Sequence, residues 1–476
     1  MNKQIRWVSL WSAMLVLALL TNLTYMNVFQ QAGLEANDYN LRAREAEFDV
    51  QRGEILAGET VIAKSVEADK SATFRYQRVY TNGPLYAPIT GFYAYNYGQT
   101  RIENSYNTYL SGTSSAQWWQ NLVDMVSGRT PGGASVMTTI DPELQQAAWD
   151  ALKGYQGAIV AMDPHTGAIK ALVTSPSYDP NQIASADLRS AEAAYNKLSK
   201  DETGPMSDRG TREIFPPGST FKLIVSATAL EHGYSADTMI DTPDRLKLPG
   251  TDSYLPNSAY CGNTQVTLRR ALELSCNTSF ANLGVKLGAD AVRAQAQKFG
   301  FGTGHLDELG GAASHFPDQV DDAQMMLSSI GQFDVAATPL QMAMVASAFV
   351  NDGKLAEPYL VQEVRAPDLR LLYSHEVTTT QAVSAETAKG MRDLMISVVN
   401  NGGGVKARIS GVTVGGKSGT AESDPSSPNY AWFVSFALDP DIVVTVFLQR
   451  DMAKPIDLWG GADAAPVARA VLKASR

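Results

Sequence analysis

The chain has few cysteines and histidines, and they form no pattern that binds metal. Its 476 residues include two Cys, Cys261 and Cys276, and five His, with no C-x-x-C and no H-E-x-x-H pair. Such pairs hold structural zinc, iron–sulfur clusters and helix-borne catalytic zinc. We therefore expect no metal site in this protein.

Positive charge is also scarce. The 39 Lys and Arg are outnumbered by 49 Asp and Glu, which gives a formal net charge of −10. An acidic surface repels phosphate backbones, so the composition argues against nucleic acid as a partner. Charged residues are too few, and apolar residues too many, for a disordered chain. The length suits two or three folded domains.

Only one long hydrophobic segment is present. Residues 7–29 carry no charge and are long enough for a helix that crosses a bilayer. Lys3 and Arg6 precede the segment and acidic residues follow it, so the positive-inside rule places the N-terminus in the cytoplasm and the rest outside. The alternative is a cleaved signal peptide, but residues 34–36 offer a poor cleavage site. Both interpretations make the remaining chain extracytoplasmic.

The sequence after the anchor divides near residue 135. We expect a cytoplasmic stub and transmembrane anchor over residues 1–30. A small β-rich pedestal or dimerisation-like domain is expected over the tyrosine-rich residues 31–135, where the aromatics pack together rather than form a ligand surface. Residues 136–476 predict an α+β domain, with its first helix capped by Asp141. Its predicted elements are strands at 157–163, 168–174, 431–438 and 442–449, a polar loop over 176–214, and helices at 219–232, 265–285, 335–351 and 463–473.

The first of three chemical motifs is Phe-Pro-Pro-Gly-Ser-Thr-Phe-Lys at residues 215–222. The prolines and glycine end a loop, and Ser219 opens a helix. Ser219 and Lys222 are three residues apart, so their side chains can meet on one face of that helix. A serine hydroxyl becomes a nucleophile when a base takes its proton, and a lysine of lowered pKa can be that base. Alone, the pattern is equally typical of an ordinary helix start.

The second motif is Ser275-Cys276-Asn277, near the end of the predicted helix through 268–274. A hydroxyl two residues from an amide can supply a proton relay and an anchor for a substrate amide. As a three-residue pattern it is far more often a plain polar helix terminus.

The third motif is Gly-Gly-Lys-Ser-Gly-Thr-Ala-Glu at residues 415–422. We interpret it as an edge strand that offers Lys417, Ser418, Gly419 and Thr420 to an extended peptide, with small residues that permit close approach. The two hydroxyls and the ammonium could bind a carboxylate. A glycine-rich turn beside a strand is the simpler alternative.

Residues 411–418 also match the phosphate-binding pattern G-x-x-x-x-G-K-[ST]. That pattern requires a helix directly after the Ser, whereas here Gly419 and a proline-rich stretch follow. The segment also alternates like a strand and lies in the predicted extracytoplasmic part. We therefore reject a nucleotide site.

The three motifs occur in the order S-x-x-K, S-x-N, K-[ST]-G, with Ser219 and Ser275 56 residues apart and Ser275 and Lys417 142 apart. In this order, and over essentially the whole chain, the sequence resembles the class B penicillin-binding proteins, of the PbpA type found in actinobacteria. Residues 52–55, 138–145, 331–341 and 432–434 fit the family as well. Ser418 stands where the family more commonly has Thr, but the hydroxyl is kept.

The resemblance implies a monofunctional peptidoglycan D,D-transpeptidase, whose catalytic domain has a central antiparallel sheet flanked by helices. Ser219 would be the nucleophile, Lys222 its base and Ser275 the proton relay. Asn277 would hold the acyl-chain amide, while Lys417, with Ser418, Gly419 and Thr420, would bind the terminal carboxylate. No cofactor is implied.

The implied partners are D-Ala-D-Ala stem peptides as donors, amine acceptors, β-lactams, the cytoplasmic membrane, and a polytopic glycosyltransferase with division proteins. Two alternatives remain at this stage. A serine β-lactamase would need a carboxylate that activates water, for which Glu308 is the nearest candidate, though its context differs from the β-lactamase pattern. A β-lactam-binding structural protein of the division machinery would not need all three motifs.

The two cysteines suggest a disulfide. The predicted topology puts Cys261 and Cys276 outside the membrane, where disulfides persist. A bridge would restrain the backbone on either side of Cys276, which carries Ser275 and Asn277. In the alternative, Cys276 is a small buried residue and Cys261 is unrelated to it.

Overall fold

A computed structural model describes residues 3–30, 45, 47–70, 72–117, 132–262, 264–422, 428–454 and 456–476. In these residues the helices are α1 (Lys3–Tyr25), α2 (Gly83–Thr90), α3 (Arg101–Ser105), α4 (Asn107–Leu110), α5 (Pro142–Ala151), α6 (Leu188–Ser199), α7 (Lys222–Glu231), α8 (Leu268–Leu274), α9 (Asn277–Leu287), α10 (Ala289–Lys298), α11 (Asp322–Ser328), α12 (Pro339–Val350), α13 (Ala385–Asn401) and α14 (Ala465–Ala474).

The strands of the same residues are β1 (Ile55–Ala57), β2 (Thr60–Glu67), β3 (Tyr76–Tyr80), β4 (Tyr93–Ala94), β5 (Gly98–Gln99), β6 (Ser135–Thr138), β7 (Tyr155–Met162), β8 (Ile169–Ser175), β9 (Met239–Asp241), β10 (Arg245–Lys247), β11 (Tyr254–Pro256), β12 (Gln265–Thr267), β13 (Lys354–Ala356), β14 (Val361–Arg365), β15 (Leu371–Ser374), β16 (Thr379–Gln381), β17 (Thr413–Ala421), β18 (Tyr430–Leu438) and β19 (Ile442–Asp451).

Helix α1 is the N-terminal apolar helix that the sequence predicts. It has 23 residues and a mean hydropathy of 1.6, and its apolar stretch is not buried against the rest of the described protein. By length and composition it can cross a membrane once.

The C-terminal part of the chain, after residue 135, is organised around a five-stranded sheet of order β17-β18-β19-β7-β8, in which every neighbouring pair is antiparallel. Alternate side chains of β18 pack on opposite faces of this sheet. Trp432 and Val434 pack in the core that contains α12, and Ala431 and Phe433 pack in the core that contains α5 and α14. Because both faces are covered by helices, the strand is a continuous apolar run. The predicted α+β class with a central antiparallel sheet is confirmed.

A second, six-stranded sheet joins the N-terminal part to the C-terminal part. Its order is β15-β14-β6-β1-β2-β3, so β14 and β15, from far along the chain, extend the sheet that β1–β3 begin. The predicted boundary at residue 135 falls at the first residue of β6. The two parts of the chain are therefore joined by hydrogen-bonded strands as well as by the covalent link.

A buried ion triad stabilises the N-terminal part. Arg52 Nε and Arg78 Nε each lie 2.6 Å from a carboxylate oxygen of Glu103, and all three side chains are almost fully buried. Burial raises the pKa of Glu103, but Arg78 and Arg52 outweigh it, so that the pKa lies below its ordinary value. Loss of one partner would leave a buried charge unpaired, which is strongly destabilising.

The predicted aromatic packing is present here as well. Phe48 stacks on Tyr93, with ring centroids 4.3 Å apart, and Phe74 stacks on Tyr95. The prediction of a β-rich domain did not include its helices: α2, α3 and α4 lie among these strands.

Several local predictions are confirmed and others are wrong. Asp141 caps α5 through hydrogen bonds from the N–H groups of Glu143 and Leu144. The predicted helix 265–285 is wrong as one element, because a break at Ser275 separates α8 from α9. The predicted loop 176–214 is also wrong, because it contains α6, which Asp187 caps. Helix α12 begins at Pro339, later than predicted, because Thr338 caps it.

Candidate active site

Ser219 lies in a tight turn rather than in the first turn of an α-helix. The turn is the 3-10 segment Gly218–Thr220, and α7 follows it. Gly218 has φ +53°, and a Cβ there would lie 2.6 Å from Thr420 O, so only glycine fits. The Gly218 N–H donates to Gly331 O at 3.0 Å. The turn is thus held between β17 and the loop after α11, with Ser219 partly exposed.

Lys222 is fully buried, and its ammonium group is directed at the second motif. Its Nζ donates to Ser275 O at 2.7 Å, to Asn277 Oδ1 at 2.8 Å and to Ser275 Oγ at 3.2 Å. None of its hydrogen bonds goes to Ser219, the partner that the sequence spacing suggested. In resting enzymes such catalytic contacts are often long and tighten when substrate binds.

The second motif occupies the break between α8 and α9. Ser275 adopts the left-handed conformation, with φ 59° and ψ 42°, which ends α8 and presents its hydroxyl to both lysines. Asn277 begins α9 and donates from Nδ2 to Pro256 O at 3.2 Å. Left-handed backbone is costly for a residue other than glycine and often marks a functional position.

The third motif is an edge strand, as the sequence predicts. Strand β17 pairs with β18 and ends the five-stranded order. Side chains alternate along it: Ser418 and Thr420 line the cleft, while Gly419 faces the Ser219 turn. Lys417 is 1 % exposed and reaches the site from beneath, where its Nζ donates to Ser275 Oγ at 2.9 Å and to Ser418 O at 2.8 Å.

The two lysines make the site electrostatically unusual. Burial, and then the charge of Lys417, lowers the pKa of Lys222 well below its ordinary value. Burial lowers the pKa of Lys417 to about 7. A lowered pKa favours the neutral amine, which can accept a proton, so Lys222 is suited to act as a base.

Lys417→Met should move the pH dependence of acylation. The variant keeps the burial of Lys222 but removes a positive charge that lowers its pKa, so that pKa should rise. In the pH profile of the penicillin acylation rate, the fall on the acidic side (the acidic limb) should then shift to higher pH, whatever the change in the maximum rate. The exposed Lys286→Met is the control and should leave the limb in place. An unshifted limb in Lys417→Met would contradict the electrostatic coupling.

A cleft of about 550 Å³ lies over these groups. Its lining includes five of the predicted residues, which are Ser219, Ser275, Asn277, Ser418 and Thr420. It also includes residues that the sequence interpretation did not single out, which are Leu255, Pro256, Asn257, Ser258, Leu327, Ile330, Phe333, Glu422, Asn429 and Trp459. Apart from Glu422, which ends the third motif, no short pattern marks these residues, because they come from separate segments that only the fold brings together.

The structure joins Cys261 to Cys276 in a disulfide, with the Cα atoms 6.0 Å apart. Both residues are buried. The bridge ties the loop after β11 to the break that carries Ser275 and Asn277.

The double variant Cys261→Ser, Cys276→Ser should be less stable by about 3 kcal/mol, because the bridge closes a loop of 15 residues in the unfolded chain. The free energy of unfolding in denaturant measures this. The wild-type protein under reducing conditions is the matched comparison. Two titratable thiols in the unreduced, denatured wild type would contradict the bridge.

Comparisons with known proteins agree on one family. Residues 157–473 match the family model of the penicillin-binding protein transpeptidase domain, and residues 52–136 match that of the penicillin-binding protein A dimerisation domain. The chain is 40 % identical to the peptidoglycan D,D-transpeptidase PbpA of Mycolicibacterium smegmatis and 38 % identical to that of Mycobacterium tuberculosis, in each case over 100 % of this chain and 99 % of the relative.

Solved structures give the same result. Penicillin-binding protein A from M. tuberculosis, as its ceftriaxone acyl-enzyme complex, matches with a TM-score of 0.85 and 38 % identity, over 90 % of this chain and 99 % of that one. Its penicillin G acyl-enzyme complex matches with a TM-score of 0.84, at the same identity and coverage. This chain therefore belongs to the penicillin-binding protein transpeptidase family.

Proposed function

We propose that this protein is a serine D,D-transpeptidase that cross-links peptidoglycan stem peptides through an acyl-enzyme on Ser219, and that β-lactams acylate the same residue. The observation that carries the proposal is the convergence of two buried lysines on Ser275 Oγ, directly behind the cleft that Ser219 lines. The M. tuberculosis relative has been solved as β-lactam acyl-enzymes, which supports the same chemistry here.

The proposed acylation step assigns a role to each of these residues. Ser219 Oγ attacks the carbonyl carbon of the penultimate D-Ala, and Lys222 accepts the hydroxyl proton. The N–H groups of Ser219 and Thr420 stabilise the oxyanion, as preorganised donors do in acyl transfer. When the peptide bond breaks, the terminal D-Ala nitrogen leaves with a proton relayed through Ser275.

The second half-reaction transfers the acyl group. An amine of a neighbouring stem attacks the ester carbonyl, its proton passes to the basic pair of Lys222 and Ser275, and Ser219 regains its hydroxyl. Asn277 holds the acyl-chain amide while this occurs. Water must be a poor competitor for the acyl-enzyme, since cross-linking requires that the amine reach it first.

The terminal carboxylate of the donor binds at β17. Ser418 and Thr420 direct their hydroxyls into the cleft, and Lys417 supplies positive charge from beneath rather than from the cleft surface. The free edge of β17 can pair with an extended stem peptide, since edge strands leave backbone groups unpaired.

The β-lactamase alternative has little structural support. Glu308, the candidate for activating water, is not among the residues that line the cleft. Its Oε1 instead accepts a hydrogen bond from the Leu360 N–H, and its backbone O accepts one from Ser105. We therefore expect a penicilloyl-enzyme that persists for minutes or longer.

A two-part assay tests the function. The full-length protein in detergent or vesicles is mixed with a D-Ala-D-Ala peptide and an acceptor amine, and released D-Ala and cross-linked product are measured by mass spectrometry. Cross-linked product with a long-lived penicillin adduct supports the proposal. Rapid turnover of penicillin would favour a β-lactamase, and absence of any adduct would favour a structural protein.

The placement of the enzyme follows from α1. We propose that residues 1–30 form a stub and single-pass anchor with the N-terminus in the cytoplasm, that 31–135 form a pedestal, and that 136–476 form the transpeptidase domain outside. A polytopic glycosyltransferase and division proteins are the proposed partners, in septation or wall growth. Reporter fusions after residue 30 and at the C-terminus test the orientation, and cytoplasmic activity of either fusion would overturn it.

A further inference from the structure

Phe333 combines a left-handed backbone with a large, half-exposed apolar side chain. Its φ is +62°, in the left-handed region that L residues avoid, and its side chain is 48 % exposed. A strained backbone under a large apolar side chain costs stability, and burial that leaves about half of the ring in water offsets little of that cost. Folding stability therefore does not account for this feature, and the place of the ring in the molecule has to be considered.

Phe333 lines the same cleft as Ser219. Its backbone is fixed relative to the nucleophile, because Gly331 O, two residues earlier, accepts the hydrogen bond from Gly218 N–H, next to Ser219. The Gln332 N–H donates to Leu327 O at 3.1 Å, and Ala336 and His315 exchange two backbone hydrogen bonds on the other side. The ring is held by a turn that is anchored at both ends.

The surroundings of Phe333 decide which part of a ligand it meets. Leu327, Ile330 and Gln332 line the cleft with it, so three of the four lining residues on this wall are apolar. The wall is built on α11, and α11 packs tightly on α9, the helix that begins with Asn277. Gly284 of α9 leaves no room for a Cβ against Ser329, the residue directly after α11. The Ser219 turn separates this wall from β17, because Gly218 contacts Gly331 on one side and Thr420 on the other. We therefore place the wall with α9 and Asn277, the proposed partner of the acyl-chain amide, and not with β17, the proposed carboxylate site.

We propose that Phe333 determines which acyl donors this site prefers. Its ring binds the apolar side-chain atoms on the acyl side of the reacting carbonyl, and it favours stem peptides and β-lactams that carry a bulky apolar group there. This inference rests on the proposed acyl-enzyme at Ser219 and adds to it a residue that selects the donor.

The test compares two β-lactams that share one reactive ring. Benzylpenicillin carries an aromatic acyl side chain, and 6-aminopenicillanic acid carries none, so the ratio of their acylation rate constants reports the side chain alone. In Phe333→Gly this ratio should fall about fivefold, the factor expected when roughly half of a phenyl ring loses its apolar contact. The ratio for Phe333→Leu should lie between the ratio for Phe333→Gly and that for the wild type.

Leu369→Gly is a matched control. Leu369 also has a left-handed backbone, with φ +67°, and is 73 % exposed, but it lies in the turn between β14 and β15 and does not line the cleft. Its variant removes the same kind of strain and should leave the ratio unchanged. Thermal unfolding of both variants checks that they fold.

The outcomes separate the two proposals. An unchanged ratio in Phe333→Gly, an equal fall for both compounds, or an equal change in Leu369→Gly would overturn the role of Phe333 while the acyl-enzyme stands. Failure of both compounds to acylate the wild-type protein would overturn the proposed function itself.

Discussion

Ser219→Ala should not form a covalent adduct with penicillin at any concentration. The substitution removes one oxygen from a partly exposed side chain in a turn that Gly218 and the contact with β17 already hold, so the fold should persist. Without the hydroxyl there is no nucleophile to acylate, and the neighbouring groups cannot replace it.

Fluorescent penicillin and denaturing electrophoresis measure this result. Ser235, exposed beyond the other end of α7, is the control, and Ser235→Ala should label like the wild type. Proteolysis of the labelled wild type should give one modified peptide that contains Ser219. A label on Ser219→Ala, or a modified peptide from elsewhere, would refute the assignment of the nucleophile.

Lys222→Met should slow acylation by about 10²- to 10⁴-fold, the usual contribution of a positioned general base. Methionine keeps an unbranched chain of similar length in the buried site, so the loss reflects the missing base more than altered packing. Because Ser219 and Lys222 act as a unit, adding Lys222→Met to Ser219→Ala should cause no further loss.

Stopped-flow or quenched acylation with benzylpenicillin gives the rate constants. Lys417→Met provides the comparison, since Lys417 acts by charge and positioning and should be the less damaging of the two. A rate close to wild type in Lys222→Met would mean that another group is the base. Equal losses in the two lysine variants would contradict the assignment of Lys222 as the base and of Lys417 to charge and positioning.

Local sequence determined much of the scaffold. The run of residues 431–438 predicts β18, since an apolar stretch of that length bounded by turn residues forms a buried strand. Asp141 followed by proline predicts the start of α5, because a cap and a preset φ act within one turn of chain. The hydrophobicity of α1 predicts the anchor without reference to the rest of the molecule.

Tertiary structure decided the active site. Ser275 and Lys417 lie 142 residues apart, and no local interaction requires their side chains to meet at 2.9 Å. The sequence spacing suggested that Lys222 contacts Ser219, whereas burial and the left-handed break at Ser275 direct its ammonium to the second motif.

The difference between local and tertiary interactions explains what the sequence interpretation missed. Motif order and spacing indicated the family, which the comparisons confirm, and predicted the reactive residues, because those residues are specified by short patterns. The six-stranded sheet, the lowered pKa values of two lysines and the exposed ring of Phe333 were decided only in the folded state. Strand pairing across hundreds of residues, desolvation and a strained φ all depend on neighbours that the packing of the whole chain supplies.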